Sequence, residues 1–155
     1  MKSFFDTNVL VYLFDTDSPG KRKQGRALFK QHADAGDILL STQVLQEFYV
    51  TVTRKLARPL DAAAATEAVM RFAELPLVQI DGKMILAAIH RSRDSRLSFW
   101  DALVLQAAIE GHADTLYTED MQDGQTFDGV RVVNPFAPAV PEKPGSRTPA
   151  RRSAR

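Results

Sequence analysis

The chain contains 155 residues, a length that fits one domain with a buried core and is too short for two. Hydrophobic residues make up 45% of it, the net charge is +1, and no apolar run approaches the roughly 20 residues of a membrane span, so we expect a cytoplasmic protein without a membrane partner. The absence of cysteine excludes disulfides, thiolate metal sites and cysteine nucleophiles.

Short apolar strands and capped helices alternate in the first half of the sequence. Asp-Thr-Asn at 6–8 follows the first apolar run and can cap a helix that begins at Val9. Ser41 offers an N-cap for a later helix whose apolar residues recur at helical spacing. In chain order we predict a strand at 3–5, a helix from 9, a helix at 21–35, a strand at 38–40 and a helix through 55.

The alternation continues in the second half. Ser98 and Asp101 have the spacing of a capping box and open an apolar helix that ends at Gly111. The predicted elements are helices at 61–74, 82–92 and 98–110, strands at 77–80, 115–117 and 130–133, and a capped turn at 118–124. This order predicts an α/β fold, in which a mostly parallel sheet of about five short strands is covered on both faces in a three-layer α/β/α domain.

The composition changes after position 134. Residues 135–155 are rich in proline and small residues, and few of them can pack in a core. We therefore expect a folded domain at 1–134, followed by a disordered, proline-rich tail at 135–155. The basic residues near the end of this tail are Arg147, Arg151, Arg152 and Arg155.

Two aspartates lie at or shortly after the ends of predicted strands. Asp6 follows the first strand, and Asp120 comes shortly after the strand at 115–117. Ligands of parallel α/β sheets bind beyond the carboxyl ends of the strands, so both positions are candidates for a functional site. Taken alone, however, each aspartate is more often a helix cap or a turn residue.

Two further acids lie on predicted helices. Glu47 is flanked by Val44 and Phe48 of an apolar stripe, where an unpaired acid is costly, although it can also lie on the wet face of the helix. Asp101 opens a helix that is apolar over 102–109 and must be buried, although the same residue can simply complete a capping box. Neither acid identifies a site alone.

In chain order, these four acids lie in motifs that resemble those of the PIN-domain ribonucleases. FDTNVL at 5–10 resembles the opening motif of the family, a hydrophobic strand end followed by Asp-Thr-Asn and two aliphatic residues. QEF at 46–48, SFWDAL at 98–103 and LYTEDM at 116–121 resemble its second, third and fourth acidic motifs. The resemblance covers about residues 2 to 134, and the compact length is similar to that of VapC-type toxins of type II toxin–antitoxin systems.

The resemblance implies a metal-dependent endoribonuclease that leaves a 5′-phosphate. Carboxylates suit Mg²⁺, which prefers oxygen ligands in octahedral geometry, and four of them can hold one ion or two; we expect Mn²⁺ to substitute. Asp6 and Asp101 are expected to be the primary metal ligands. Glu47 and Asp120 are expected to be supporting ligands or to orient water, so that all four acids are catalytic. The side chains expected to hydrogen-bond these carboxylates are Thr7, Asn8 and Thr118.

The resemblance also implies protein partners beside the RNA substrate. We expect a cognate antitoxin and a second copy of the chain in a homodimer. Intact acids at all four positions favour an enzyme over a module that binds RNA or an antitoxin without turnover. Cleavage of DNA by the same site stays open, because the sequence says nothing about recognition of the 2′-hydroxyl.

Other candidate chemistries have little support in the sequence. His32, His90 and His112 share no spacing motif and are expected to be surface or capping residues. The residues at 6–8 are superficially similar to the Asp-x-Asp start of haloacid-dehalogenase-like phosphatases. Asn8, however, stands where that mechanism needs a second carboxylate.

Two residues beside the acidic motifs have more ordinary explanations. Asp123 precedes Gly124 and is expected to lie in a turn rather than to act as a fifth acid. Trp100 precedes Asp101 and can stack on a base, but one aromatic residue at a helix start is more often part of the core. We therefore expect Trp100 to be buried.

Overall fold

Residues 1–138 are described by the computed structural model. Within them, no helix is both long enough and apolar enough to cross a membrane. The chain alternates strands and helices along its length. In order, the elements are β1 (Ser3–Phe5), α1 (Thr7–Tyr12), α2 (Pro19–Ala35), β2 (Ile38–Ser41), α3 (Thr42–Arg54), α4 (Ala62–Ala73), β3 (Leu77–Val78), α5 (Gly82–Asp94), α6 (Phe99–Glu110), β4 (Thr115–Tyr117), β5 (Thr126–Phe127) and β6 (Val130–Val133).

The strands form one six-stranded sheet in the order β3-β2-β1-β4-β6-β5. Every neighbouring pair is parallel except β5 and β6, which are antiparallel. In the centre, Phe4 of β1 aligns with Leu39 of β2 on one side and with Leu116 of β4 on the other. Every residue of β1 and β2 is buried, as expected for strands covered on both faces. The predicted α/β fold with a mostly parallel sheet is therefore confirmed.

The sheet has one strand more than the five predicted. The additional strand is β5, which is two residues long and pairs with β6 across a tight turn. Asp128 and Gly129 occupy this turn with positive φ angles of 47° and 87°. Asp-Gly between two apolar residues is a hairpin signal, because glycine and aspartate tolerate this backbone conformation better than other residues.

The sheet order creates a crevice at the carboxyl end of its two central strands. From β1 the chain builds β2 and β3 on one side, and it then crosses over to place β4 on the other side of β1. At such a switch point the connections leaving the two strands diverge, which opens a space for ligands. Asp6 directly follows β1 and Thr118 directly follows β4, so both lie at this crevice.

Helix α3 brings a second set of side chains to the crevice. Its buried face, which includes Val44, Phe48 and Val52, packs into the core of the domain. The ring of Phe48 lies 5.2 Å from that of Phe72 on α4 and 5.5 Å from that of Phe14, both in edge-to-face geometry. This packing fixes the rotation of α3 about its axis and places Glu47, beside the buried face, against Thr7 of α1.

The packed chain continues for a short distance beyond β6. The ring of Phe136 lies 5.0 Å from the ring of Tyr12 in edge-to-face geometry, and it also approaches Gly25 of α2. The Nζ atom of Lys21 lies 5.6 Å from the centre of the Phe136 ring. Phe136 is therefore part of the packed structure, two residues past the boundary expected at 134. Of the tail expected at 135–155, residues 139–155 lie outside the described part of the chain.

Candidate functional site

Asp6 is buried at the junction of β1 and α1. The residue is extended, with φ −73° and ψ 163°, because it ends a strand and caps a helix. Its Oδ1 atom accepts a hydrogen bond of 2.7 Å from the backbone N–H of Thr7. Its Oδ2 atom accepts another of 2.7 Å from the hydroxyl of Thr118, which follows the neighbouring strand. The side chain is thus held on both oxygens, and 3% of the residue is exposed.

The environment of Asp6 disfavours its charged form. Burial raises the pKa of this carboxyl from 3.8 to about 7, and the nearby charges of Asp120 and Glu47 add to the increase. The hydrogen bonds from Thr118 and Thr7 act in the opposite direction, because they stabilise the carboxylate. The net result is a carboxyl group that only a positive charge would fully stabilise in its ionised form.

Two more aspartates converge on Asp6 to form what we call the acidic triad, namely Asp6, Asp101 and Asp120. One carboxylate oxygen from each lies within 4.8 Å of the others. Asp101 reaches this position from the first turn of α6, where its backbone N–H donates to the hydroxyl of Ser98 over 3.1 Å. Asp120 is placed by the loop after β4, where its backbone N–H donates to the hydroxyl of Thr118, also over 3.1 Å.

The other two members of the triad also have raised pKa values. Partial burial is the main cause for Asp101, and the charges of Asp120 and Glu47 contribute. For Asp120 burial again comes first, and the charge of Glu119 adds to it. Three carboxyls that are each harder to ionise than usual indicate a site with an excess of negative charge.

Glu47 lies beside the acidic triad rather than within it. Its Oε1 atom accepts a 2.7 Å hydrogen bond from the hydroxyl of Thr7, which ties α3 to α1. Its Oε2 atom lies 3.5 Å from the side-chain nitrogen of Gln43, one turn earlier on α3. Glu47 still acts on the triad through its charge, which raises the pKa of Asp6 and of Asp101.

The three polar residues expected to support the carboxylates differ in what they contact. Thr118 joins two members of the triad, because its hydroxyl donates to Asp6 and accepts from the backbone of Asp120. Thr7 contacts Asp6 through its backbone and Glu47 through its hydroxyl. The amide group of Asn8 is buried and makes no hydrogen bond within residues 1–138, although it faces Asp120 closely enough to oppose the increase in the pKa of that carboxyl.

The loop after β4 is held by residues that were not predicted from the sequence. Glu119, next to Asp120, accepts a hydrogen bond of 2.8 Å from the hydroxyl of Tyr12 and one of 2.9 Å from the Nζ atom of Lys21. Lys21 also donates to the hydroxyl of Tyr12 over 3.1 Å. No spacing pattern in the sequence connects these three residues, because they come from α1, α2 and the loop.

The remaining candidates from the sequence lie away from the triad. His32 is buried between Asp37, 2.8 Å from its Nδ1 atom, and the hydroxyl of Tyr117, 3.1 Å from its Nε2 atom. The expectation that His32 is a surface or capping residue is therefore wrong. Asp123 accepts a hydrogen bond of 2.8 Å from the backbone of Asn134, which agrees with a structural role in a turn.

Trp100 is exposed, contrary to expectation. Its residue surface is 60% accessible, whereas Ala102, two positions later on α6, is fully buried. The reason is the position of the helix start: the Ser98 cap places the first turn of α6 at the rim of the crevice, so the buried stretch begins after Asp101.

A cleft of about 680 Å³ leads away from the acidic triad between α1 and α3. Helix α3 lines it with one face, since the lining residues recur three or four positions apart, and Trp100 at the start of α6 stands at its rim. Glu47 and Asp120 line the cleft, whereas Asp6 and Asp101 do not. The lining residues from α3 and its end are Gln43, Gln46, Glu47, Val50, Thr51, Lys55 and Leu56.

The acidic triad fits a hard divalent cation. Mg²⁺ takes oxygen ligands and is usually bound by a small number of carboxylates together with water and substrate phosphate. A bound cation would also offset the desolvation, and the smaller repulsion from neighbouring acids, that raise the three pKa values. The donor set, three carboxylates with a fourth nearby, is therefore suited to Mg²⁺ or Mn²⁺.

Comparisons with known proteins agree with this architecture. The PIN domain family matches residues 3–123. The fold is similar to that of a toxin–antitoxin complex from Klebsiella pneumoniae. The sequences are 21% identical, the TM-score is 0.63, and the match covers 87% of this chain and 98% of that one. The VapC20 toxin of Mycobacterium tuberculosis, which cleaves the sarcin–ricin loop, is also similar. It is 16% identical, with a TM-score of 0.58, and the match covers 74% of this chain and 87% of that one.

A third similar structure is DNA-bound VapBC from Salmonella typhimurium, at 17% identity, a TM-score of 0.59 and coverage of 85% of this chain and 96% of that one. No curated protein sequence matches this chain at comparable significance. Because the identities are low, the structural likenesses establish a shared fold.

Proposed function

This chain belongs to the PIN domain family, and from that premise we propose that it is a Mg²⁺-dependent endoribonuclease, the toxin of a toxin–antitoxin pair. The observation that supports this proposal most directly is the convergence of three aspartates from three separate elements at the switch point of the sheet. A fold needs no such concentration of negative charge for stability. A metal-dependent hydrolase needs it to hold its ion.

In this proposal Asp6, Asp101 and Asp120 hold the ion, and Mn²⁺ can take its place. When bound, the ion would activate a water molecule and offset the charge that develops on the phosphate oxygens. Thr118 fixes the orientation of two of the three carboxylates and so sets their spacing.

Glu47 has a different role from the triad in this proposal. One of its oxygens is held by Thr7, while the side chain lines the cleft through which substrate enters. It is therefore suited to orient the attacking water or to support the metal ligands from the substrate side. Membership of the family implies that the products carry 5′-phosphates.

The partners proposed are an antitoxin and a second copy of this chain. The similar structures from Klebsiella pneumoniae and Salmonella typhimurium are toxin–antitoxin assemblies, which supports the antitoxin. Co-expression with the product of a short neighbouring reading frame, followed by purification of a complex, would test it. Light scattering of the isolated chain tests the homodimer.

The test of the activity is cleavage of single-stranded RNA by purified protein. We expect cleavage with Mg²⁺ or Mn²⁺, loss of cleavage in chelator, and poor support by Ca²⁺, whose larger radius and looser coordination suit the site less. A variant with Asp101→Asn should be inactive under all conditions, which controls for a contaminating nuclease.

Full activity in chelator, or equal activity of the Asp101→Asn variant, would contradict the proposed mechanism. A parallel reaction with DNA of the same sequence tests the alternative substrate. We expect RNA to be cleaved faster. Binding of RNA without cleavage under every metal condition would instead support the module without turnover.

A further inference from the structure

Trp100 is held rigidly at its backbone while its ring is open to solvent. The residue is 60% exposed, although a tryptophan loses favourable burial energy when so much of its surface meets water. Its carbonyl oxygen accepts a 3.2 Å hydrogen bond from the side chain of Gln43, which is itself 3% exposed. The ring of Phe99 supports it at 5.0 Å in edge-to-face geometry. An exposed ring on a fixed backbone can contact a flat ligand without further loss of conformational freedom in the protein.

The cleft beside the ring is lined by apolar as well as polar side chains, among them Val11, Val50 and Leu56. Trp100 lines the same cleft as Glu47 and Asp120, and its neighbour in sequence is Asp101 of the triad. An exposed aromatic ring one residue from a proposed metal ligand suits a nucleotide, because the faces of a base are apolar and the attached phosphate can reach the acidic triad.

A second observation points to the same ligand. The Oε1 atom of Gln43 is buried and has no hydrogen-bond partner within residues 1–138, although the Nε2 atom of the same side chain is paired. An acceptor in this position is costly to leave unpaired. Since Gln43 lines the cleft and contacts the backbone of Trp100, a turn of its side chain towards the cleft would let this oxygen accept an N–H from the edge of a bound base.

We propose that an unpaired base of the RNA stacks on Trp100, next to the nucleotide whose phosphate reaches the acidic triad, and that Gln43 contacts its edge. This inference rests on the proposed ribonuclease function. Stacking on an aromatic side chain needs a free face of the base, so the site selects single-stranded RNA over a duplex. Stacking also tolerates any base, so Trp100 gives affinity and strand selectivity, while Gln43 supplies a modest preference among bases.

The sequence offers a direct readout, because Trp100 is the only tryptophan among 155 residues. Tryptophan emission, excited where the three tyrosines do not absorb, therefore reports on this ring alone. In chelator, to prevent turnover, we expect single-stranded RNA to quench the emission in a saturable way. The same RNA annealed to its complement should quench it far less. A separate anisotropy titration of labelled RNA gives the dissociation constant independently.

Three variants make the test specific. Trp100→Ala should weaken binding of single-stranded RNA by between about fivefold and about a hundredfold, whereas Trp100→Phe should retain most of the affinity. Met70→Ala is the matched control, because Met70 is 63% exposed on α4 and does not line the cleft. It should bind RNA as the wild type does. With Mg²⁺, Trp100→Ala should raise KM more than it lowers kcat.

Unchanged emission when anisotropy shows that RNA is bound would overturn the proposal, as would wild-type affinity of Trp100→Ala. Emission that changes with protein concentration and not with RNA would also overturn it, since a second copy of the chain would then cover the ring. These experiments distinguish a failure of the stacking proposal from a failure of the nuclease proposal. Cleavage without quenching removes the stacking role and leaves the nuclease, whereas quenching without cleavage under any metal condition removes the nuclease and leaves a binding site for single strands.

Discussion

Asp6 combines a structural role as a helix cap with a proposed role as a metal ligand, and the two roles conflict. As a helix cap it is best ionised, because its carboxylate accepts hydrogen bonds from Thr7 and Thr118. As a buried member of the acidic triad it is destabilised by desolvation and by its neighbours. The second effect dominates, which is why the pKa of this side chain is raised to about 7.

The raised pKa of Asp6 predicts how the stability of the metal-free protein depends on pH. The folded state keeps the proton up to about pH 7, whereas the unfolded chain releases it near the ordinary value of 3.8. The folded protein therefore binds more protons between these values, and its free energy of unfolding falls as the pH rises through this window. From about pH 5 to about pH 8 we expect a loss of about 2–3 kcal/mol.

Urea denaturation in chelator at several pH values measures this dependence. The control is Asp6→Asn, because asparagine can still accept the hydrogen bond from Thr7 and cannot ionise. Its stability should change much less over the same range. An increase in the stability of the wild type with pH would show that the charge on Asp6 is stabilised in the folded state.

The response to Mg²⁺ separates a metal site from a set of unrelated caps. Binding to the folded state alone should stabilise the wild type by about 2.7 kcal/mol at a hundredfold excess over the dissociation constant. Asp6→Asn removes one of the three converging carboxylates and should gain much less, while its stability without metal stays equal to that of the wild type or increases. Thermal melts of both proteins with and without Mg²⁺ measure the difference. Equal responses would mean that Asp6 is only a cap.

For single residues, the sequence indicated which acids come together better than it indicated how each one is oriented. The motifs around Asp6, Asp101 and Asp120 brought together residues that the structure does place within 4.8 Å. The offset position of Glu47 depends on the rotation of α3 about its axis and on its hydrogen bond to Thr7. The exposure of Trp100 depends on where the first turn of α6 meets the crevice. Neither feature is a local property of the sequence.

The elements themselves were predictable where local signals agreed. Ser41, Asp61, Asp81 and Ser98 each accept a hydrogen bond from the backbone three residues later, as an N-cap does. The periodicity of apolar residues located the longer helices. The shortest strands were harder, because β3 and β5 are two residues long and owe their pairing to neighbours far along the chain.

The contact between α6 and the sheet predicts a sensitive glycine. A Cβ atom on Gly111 would lie 2.4 Å from Leu39 of β2 and 2.9 Å from Val78 of β3. Its backbone, with φ −81°, is open to any residue, so the effect of Gly111→Ala is steric. We expect a loss of about 1–3 kcal/mol in the free energy of unfolding, measured by urea denaturation.

The matched control for this substitution is Gly82→Ala. Gly82 begins α5, and a Cβ atom there meets nothing within 4 Å. Alanine at this position should be neutral or stabilise by about 0.4–1 kcal/mol, because it restricts the unfolded chain. Equal effects of the two substitutions would show that α6 does not pack against the sheet as closely as described.

For the whole molecule, Phe136 extends the packed chain beyond β6. Removing residues 139–155 should leave the melting temperature unchanged, because their composition, rich in proline and small residues, offers few side chains that can pack in a core. Removing everything after Asn134 also deletes Phe136 and its contacts with Tyr12 and Gly25. This should cost about 1–2 kcal/mol, less than the roughly 3–5 kcal/mol expected for a fully buried phenylalanine.

Thermal melts of the two truncated proteins beside the full chain distinguish these effects. A large loss of stability in the protein that lacks only residues 139–155 would show that this segment contributes to the fold. Because that segment carries Arg147, Arg151, Arg152 and Arg155, we also expect its removal to lower RNA affinity and to make it less dependent on salt.

The central position of β1 has a consequence for synthesis of the protein. β1 precedes the other five strands of the sheet in the sequence and is made before them, yet it lies in the middle of the sheet, and its second neighbour is β4, more than a hundred residues later. Until Thr118 and Asp120 have emerged from the ribosome, Asp6 lacks the hydroxyl that donates to its Oδ2 atom, and the triad lacks its third carboxylate. A nascent chain, or one that ends before these residues, therefore has no assembled acidic triad, and the proposed nuclease activity would require that nearly the whole domain has been translated.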